Sequence, residues 1–362
     1  MKILTILLSF ATGLSAHDLH TTDREALRAH LLEEWSARRS ARTAGTSSPA
    51  EPASSTPRSL RPKLAAAPPA TSPAAVAVPK TALAFLPFKR LDLRADGQFL
   101  YIGSNGMPDH NMMVGITAWQ QQVPLPQSYF GDNAWRIPLN PVPAREPAMI
   151  KGRFLRGAIA LAVNGVPIFN PQNNQGEVSL EIGELDQWGG HCGRGDDYHY
   201  HVTPLHLQAQ AGKGMPVAYA LDGYPIYGLT EPDGSPVGRL DECHGHELPG
   251  IGYHYHASNQ YPYVFAGFKG EIMEAGGQVD PQPRASPVRP DSPPLRGAVI
   301  TAFERLTADT YKLTYTADRD KRSITYTIND NGTFDFEYDN GQEGRTTEVY
   351  TRRQSGGGRP QR

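Results

Sequence analysis

Cysteine is scarce in this chain: only Cys192 and Cys243 occur in 362 residues. That excludes a disulfide-stapled mini-scaffold and zinc modules built on paired CxxC motifs. A surplus of charge is missing too. The formal net charge of −2 at pH 7 lacks the basic footprint of a nucleic-acid partner. Beyond the apolar run from Ile3 to Leu14, no stretch approaches the ~18 residues of a membrane span. There is no GxSxG elbow, no phosphate-binding GxxxxGK[ST] loop and no GxGxxG after a strand, which removes the commonest hydrolase, nucleotide and dinucleotide signatures.

What is present begins with Met1–Ala16, which reads as a secretory signal ending in Leu14-Ser15-Ala16. A soluble exported protein, secreted or periplasmic, is the expectation. Residues 17–39 form a short amphipathic helix on the pattern of a Thr22-x-x-Glu25 capping box with Leu27, Leu31, Leu32 and Trp35 at helical spacing. His17 would become the mature amino terminus, with His20 nearby. Such an end can chelate copper, although a chance residue at a frayed terminus is the blander reading. Residues 40–80 are an Ala/Pro/Ser/Thr linker without large apolar side chains, and 277–295 are a second Pro-rich linker. Between them, 81–276 carry short β-rich runs broken by Gly, Pro and Asn. Residues 296–353 alternate clearly. Tyr311, Leu313 and Tyr315, then Ile324, Tyr326 and Ile328, then Phe334, Phe336 and Tyr338 each share a face, predicting a small antiparallel meander before a tail over 354–362.

The central region repeats itself. Leu185–His201, LDQWGGHCGRGDDYHYH, aligns without a gap on Leu240–His256, LDECHGHELPGIGYHYH, 55 positions later. Ala162–Phe169, AVNGVPIF, matches Ala220–Tyr227, ALDGYPIY, at an offset of 58. This pattern reads as an internal tandem duplication. Each copy carries three histidines at matched spacing: His191, His199 and His201, then His246, His254 and His256. Alternate strand residues share a face, so each HxH pair projects together about 7 Å apart. A third imidazole from the preceding loop completes a three-histidine site with an open position. Imidazoles suit zinc or copper, whereas calcium or magnesium would want clustered carboxylates. The alternative is structural, with the histidines pinning loops and the tyrosines in the core. Whether the copies share one centre or form two is open at this stage.

Several neighbours have two readings. Asp186 and Asp241 either orient a liganding histidine or cap a turn. His244 is a further candidate ligand, and His206, outside the repeat, is a packing or surface residue. Cys192 aligns with Glu247 and Cys243 with Trp188. In an oxidising compartment a disulfide joining the halves is the leading reading, with a thiolate ligand or free thiols as alternatives.

These residues resemble a family, the YHYH-domain proteins, exported bacterial proteins named for this tetrapeptide. The resemblance runs from roughly Gly97 to Glu271. Its pieces are Ser104-Asn105-Gly106-Met107-Pro108-Asp109-His110, Asn164-Gly165-Val166-Pro167, Tyr198-His199-Tyr200-His201, Leu221-Asp222-Gly223-Tyr224-Pro225-Ile226-Tyr227-Gly228, Leu240-Asp241-Glu242-Cys243 with Gly245, and Tyr253-His254-Tyr255-His256 followed by Tyr261-Pro262-Tyr263. It implies His110 as a further ligand. It does not imply an activity. Trp188 stands where related sequences look more like Cys, which weakens the disulfide.

The expectation is therefore a mainly β protein: a central β-rich domain with an internal duplication, a short N-terminal helix and a C-terminal β meander. Its function is read as metal binding at a histidine-rich zinc or copper site. Both zinc-activated hydrolysis and copper redox chemistry fit such a site. The rival is a non-catalytic envelope-associated module, its Tyr-rich loops contacting a polymer or protein and its histidines structural.

Overall fold

The computed structural model describes residues 78–352. The signal, the helix over 17–39, nearly all of the 40–80 linker and the terminal tail lie outside the described residues. After a short 3-10 helix, Lys80–Ala84, comes a three-stranded antiparallel sheet, β1 (Asp92–Ala95), β2 (Phe99–Gly103) and β3 (Trp135–Pro138). Leu100, Ile102, Trp135 and Ile137 are its buried face. Then comes β4 (Pro143–Met149).

An eight-stranded sheet follows. It uses β5 (Ala158–Ala162), β6 (Pro167–Phe169), β7 (Gly190–Cys192), β8 (Tyr198–Tyr200), β9 (Ala218–Ala220), β10 (Pro225–Tyr227), β11 (Gly245–Leu248) and β12 (Gly252–His256). Their spatial order is β11-β12-β10-β9-β5-β6-β8-β7. The two halves of this order mirror each other strand for strand. Within each half an antiparallel hairpin (β5–β6, β9–β10) leads to a parallel neighbour (β8, β12) and an antiparallel edge strand (β7, β11). The halves meet where β5 and β9 pair antiparallel. AIALA and AYA are continuous apolar runs, and every residue of both strands is buried. Such runs belong to strands covered on both faces.

Strand β13 (Gly267–Gly270) returns to pair with β4, and β14 (Glu274–Ala275) with β15 (Gln278–Val279). The final sheet is the expected meander: β16 (Val299–Arg305), β17 (Thr310–Ala317), β18 (Asp320–Ile328), β19 (Thr333–Asp339) and β20 (Arg345–Thr351), in sequential order. Its alternating residues stack Phe303, Tyr311, Tyr326 and Phe336 in a ladder with ring centroids 5.9, 5.4 and 5.2 Å apart. Each such pair contributes about 0.5–1.5 kcal/mol beyond its buried area. One single-turn α-helix, Gln208–Ala211, is present among the described residues.

One expectation needs correction and another gains detail. The Pro-rich linker 277–295 is fastened along its length, because Arg289 is buried against Asp196 at 2.6 Å and Gln282 Oε1 accepts the Ala158 N–H at 2.7 Å. Composition cannot distinguish an unbound chain from an extended strap satisfied by partners elsewhere. The disulfide is absent, since Cys192 and Cys243 are both free and buried. Cys192 ends edge strand β7, whereas Cys243 lies just before the opposite edge strand β11. Seven strand spacings of ~4.8 Å put those edges roughly 30 Å apart, and a bridge needs Cα atoms within about 7 Å.

Candidate metal centres

The alternation of β8 and β12 sends His199 and His201, or His254 and His256, to one face and the tyrosines to the other. Edge strands supply the third histidine. His191 lies directly opposite His199, and His246 opposite His254. A glycine precedes each edge histidine because tyrosine needs the space on the other face. A Cβ on Gly190 would stand 2.5 Å from Tyr198 Oη, and one on Gly245 2.5 Å from Tyr253 Oη.

The tyrosine face is a set of matched fastenings. Tyr198 donates to Asp186 at 2.8 Å and Tyr253 to Asp241 at 2.9 Å. Asp186 also accepts the Trp188 and Gly190 N–H groups, and Asp241 those of Cys243 and Gly245. These aspartates therefore cap their turns; neither orients a histidine. Burial raises the Asp186 carboxyl above its ordinary range despite its four donors.

On the histidine face, one nitrogen of each tetrapeptide ring is committed to backbone. His199 Nδ1 donates to Asp197 O at 2.9 Å, His201 Nδ1 to Asn170 O at 2.5 Å, His254 Nδ1 to Gly252 O at 2.9 Å and His256 Nδ1 to Gly228 O at 3.0 Å. A carbonyl only accepts, so Nδ1 carries the proton and Nε2 of the neutral ring is a lone pair. These lone pairs converge. The ligating atoms of His191, His199 and His201 lie within 4.8 Å of one another, as do those of Glu231, His246, His254 and His256. Both groups can hold a metal ion.

In the second cluster His246 Nε2 lies 3.1 Å from His254 Nε2 and 3.1 Å from Glu231 Oε1. His254 and His256 Nε2 lie 3.3 and 3.2 Å from Glu231 Oε2. Tetrahedral zinc with bonds of ~2.0–2.1 Å spaces its donors by about 3.3–3.4 Å, close to these separations. His256 Nε2 is buried and makes no hydrogen bond, so its lone pair faces a carboxylate. Burial lowers the His256 pKa, which opposes a proton as the intervening cation. Burial pulls the Glu231 carboxyl up, the Gly238 N–H pulls it down, and a positive charge among the three histidines brings it below its usual range, the charge that a bound cation would supply to neutral rings.

The first cluster has three imidazoles, with His191 Nε2 3.0 Å from His201 Nε2. Phe169 stacks on His199 at 3.9 Å. Burial, then its two histidine neighbours, depresses His191 well below its normal pKa, and burial takes His201 down to about 3. Both rings are thus neutral, as metal ligands must be.

The six repeat histidines are brought together in threes; His110 is not. Tyr200 Oη donates to His110 Nε2 at 2.7 Å and His110 Nδ1 donates to Asn111 O, so both ring nitrogens are satisfied on the tyrosine face. His206 packs there against His110 and Trp188. His244 Nδ1 donates to His256 O at 2.9 Å and its φ is +68°. It fastens the loop where the first half uses Gly189, φ +80°.

Sequence reasoning missed Glu231. Extending the AVNGVPIF/ALDGYPIY alignment to the next shared glycine, Gly176 with Gly234, sets Glu231 against Asn173. A search for identities passes over that difference.

The strand order also separates the clusters. Four strands lie between β8 and β12, about 24 Å at ~4.8 Å per spacing, so the centres are two and not one. No curated protein and no solved structure matches the chain. The family model described as YHYH protein matches residues 134–237, a span that takes in the first tetrapeptide and Glu231 and stops short of the second tetrapeptide. The chain therefore carries a YHYH-family domain.

Proposed function

We propose that this is an exported transition-metal protein with two separate histidine centres, His191/His199/His201 and His246/His254/His256 with Glu231, each taking zinc or copper. The observation that carries this is the opposition of lone pairs around Glu231. Nδ1 of His254 and His256 is spent on carbonyls, so their Nε2 atoms point at a carboxylate 3.3 and 3.2 Å away. In a buried site such a set repels itself unless a cation lies within it. Neutral nitrogen donors with a single carboxylate suit zinc or copper better than hard cations.

Export is read from the amino-terminal segment Met1–Ala16. The two centres are read as descendants of one duplicated unit, on the matching offsets and on equivalent bonds such as Gly165 N to Ala162 O and Gly223 N to Ala220 O.

The test is metal analysis of protein purified without chelators. Two equivalents of zinc or copper per chain are expected, falling to about one in the double variant His254→Ala/His256→Ala. Undiminished metal in that variant, or a wild-type chain that neither contains nor takes up either metal, would leave the histidines structural.

A further inference from the structure

The two centres differ in one donor, and the difference is a relocation as well as a loss. Glu231 stands 58 positions after Asn173, at the same point of a matching turn: Asn173 N donates to Glu177 O at 2.8 Å and Glu231 N to Ser235 O at 2.9 Å. The first half carries its acid elsewhere. Glu184 takes the position that Arg239, exposed, holds 55 residues later. Asn173 Nδ2 lies 3.3 Å from Glu184 Oε1, so the amide that replaces Glu231 holds the relocated carboxylate. Glu184 Oε2 is buried without a hydrogen-bond partner. Glu184 and His191 line one cavity of about 20 Å³, room for a single water. Glu184 is not among the atoms gathered within 4.8 Å at the first centre, so it does not ligate there directly.

We infer that the first centre, on the reading above that it binds a transition metal, reserves its fourth coordination position for a water that donates a hydrogen bond to Glu184 Oε2. The second centre is closed by Glu231. A buried carboxylate oxygen needs a donor, a three-histidine metal needs a fourth ligand, and one water in the shared cavity supplies both. Three protein ligands plus water is the arrangement of reactive zinc centres, and four protein ligands that of structural ones.

Copper(II) in His254→Ala/His256→Ala occupies the first centre alone, and electron spin-echo modulation in D2O should show a coordinated water. Copper in His199→Ala/His201→Ala, which keeps the second centre, should show none. Exchanging the donors should exchange the result. Asn173→Glu removes the water signal from the first centre, and Glu231→Asn introduces one at the second. Fluoride, a water-sized anion read by its splitting of the copper signal, should displace water at the first centre only. It should bind at least about tenfold more tightly in Glu184→Gln, where no carboxylate repels it. Coordinated water at both centres or at neither, or fluoride binding indifferent to Glu184, overturns this inference and leaves the metal reading standing. A chain that binds copper at neither centre overturns both.

Discussion

Replacing His201 by Gln should flatten the acid limb of the metal-free protein's stability. His201 is buried, gives its Nδ1 proton to Asn170 O, and has its pKa lowered from 6.5 to about 3 by burial and by His199. In the unfolded chain the same ring titrates near 6.5. As pH falls below 6.5 the unfolded state takes up a proton that the folded state refuses until near pH 3. The contribution is therefore present in full above pH 6.5 and is lost on acidification, at about 1.36 kcal/mol per pH unit. From pH 7 to 4.5 this one ring costs about 2.5 kcal/mol, a sizeable part of the ~5–15 kcal/mol that holds a typical domain. Urea melts of chelator-treated wild type and His201→Gln at the two pH values measure it. The wild type should lose about 2.5 kcal/mol more than the variant. Equal losses would mean that the ring is solvated or charged in the fold, and the neutral-ligand argument for the first centre would fail with it.

Three further outcomes follow from the same geometry. Tyr200→Phe leaves His110 Nε2 without its donor and Asn164 Nδ2 without its acceptor, which should cost about 1–3 kcal/mol in a urea melt. Metal content should stay unchanged, because that hydroxyl lies on the face opposite the imidazoles. Gly245→Ala drives a Cβ to 2.5 Å from Tyr253 Oη and 2.6 Å from His254 O; a destabilisation of about 1–3 kcal/mol is expected, with metal lost from the second centre before the first. Because both cysteines are free, a reductant should leave the melting temperature within about a degree, whereas removal of a native bridge would cost about 2–5 kcal/mol.

Local pattern alone determined a good deal of this protein. Period-two alternation in Tyr311-Lys312-Leu313 and its neighbours specified the meander, because side-chain alternation is a property of one strand and needs no partner. The same rule placed His199 with His201 and His254 with His256, and the 55-residue offset marked His191 and His246 as their companions. Apolar runs such as Ala158–Ala162 marked the central region as β-rich. The matching loops of the two halves, down to the Asp186 and Asp241 turns, could be paired from their letters, although whether those aspartates served turn or histidine could not.

What the tertiary structure decided were the relations between distant segments. Pairing β5 with β9 left four strands between the two tetrapeptides, which made two centres from six matched histidines and kept Cys192 and Cys243 from meeting. His110 lay in a motif of the right composition, but its partners, Tyr200 and Asn111, left it no free lone pair. The stretch over 277–295 read only as a Pro-rich linker because its anchors, Asp196 and Ala158, lie on other elements. Glu231 entered the second centre through a turn that returns it to the sheet face, and Glu184 approached the first by a different route. Sequence spacing records which residues share a strand face; which residues share a volume depends on chain crossings that no single window contains.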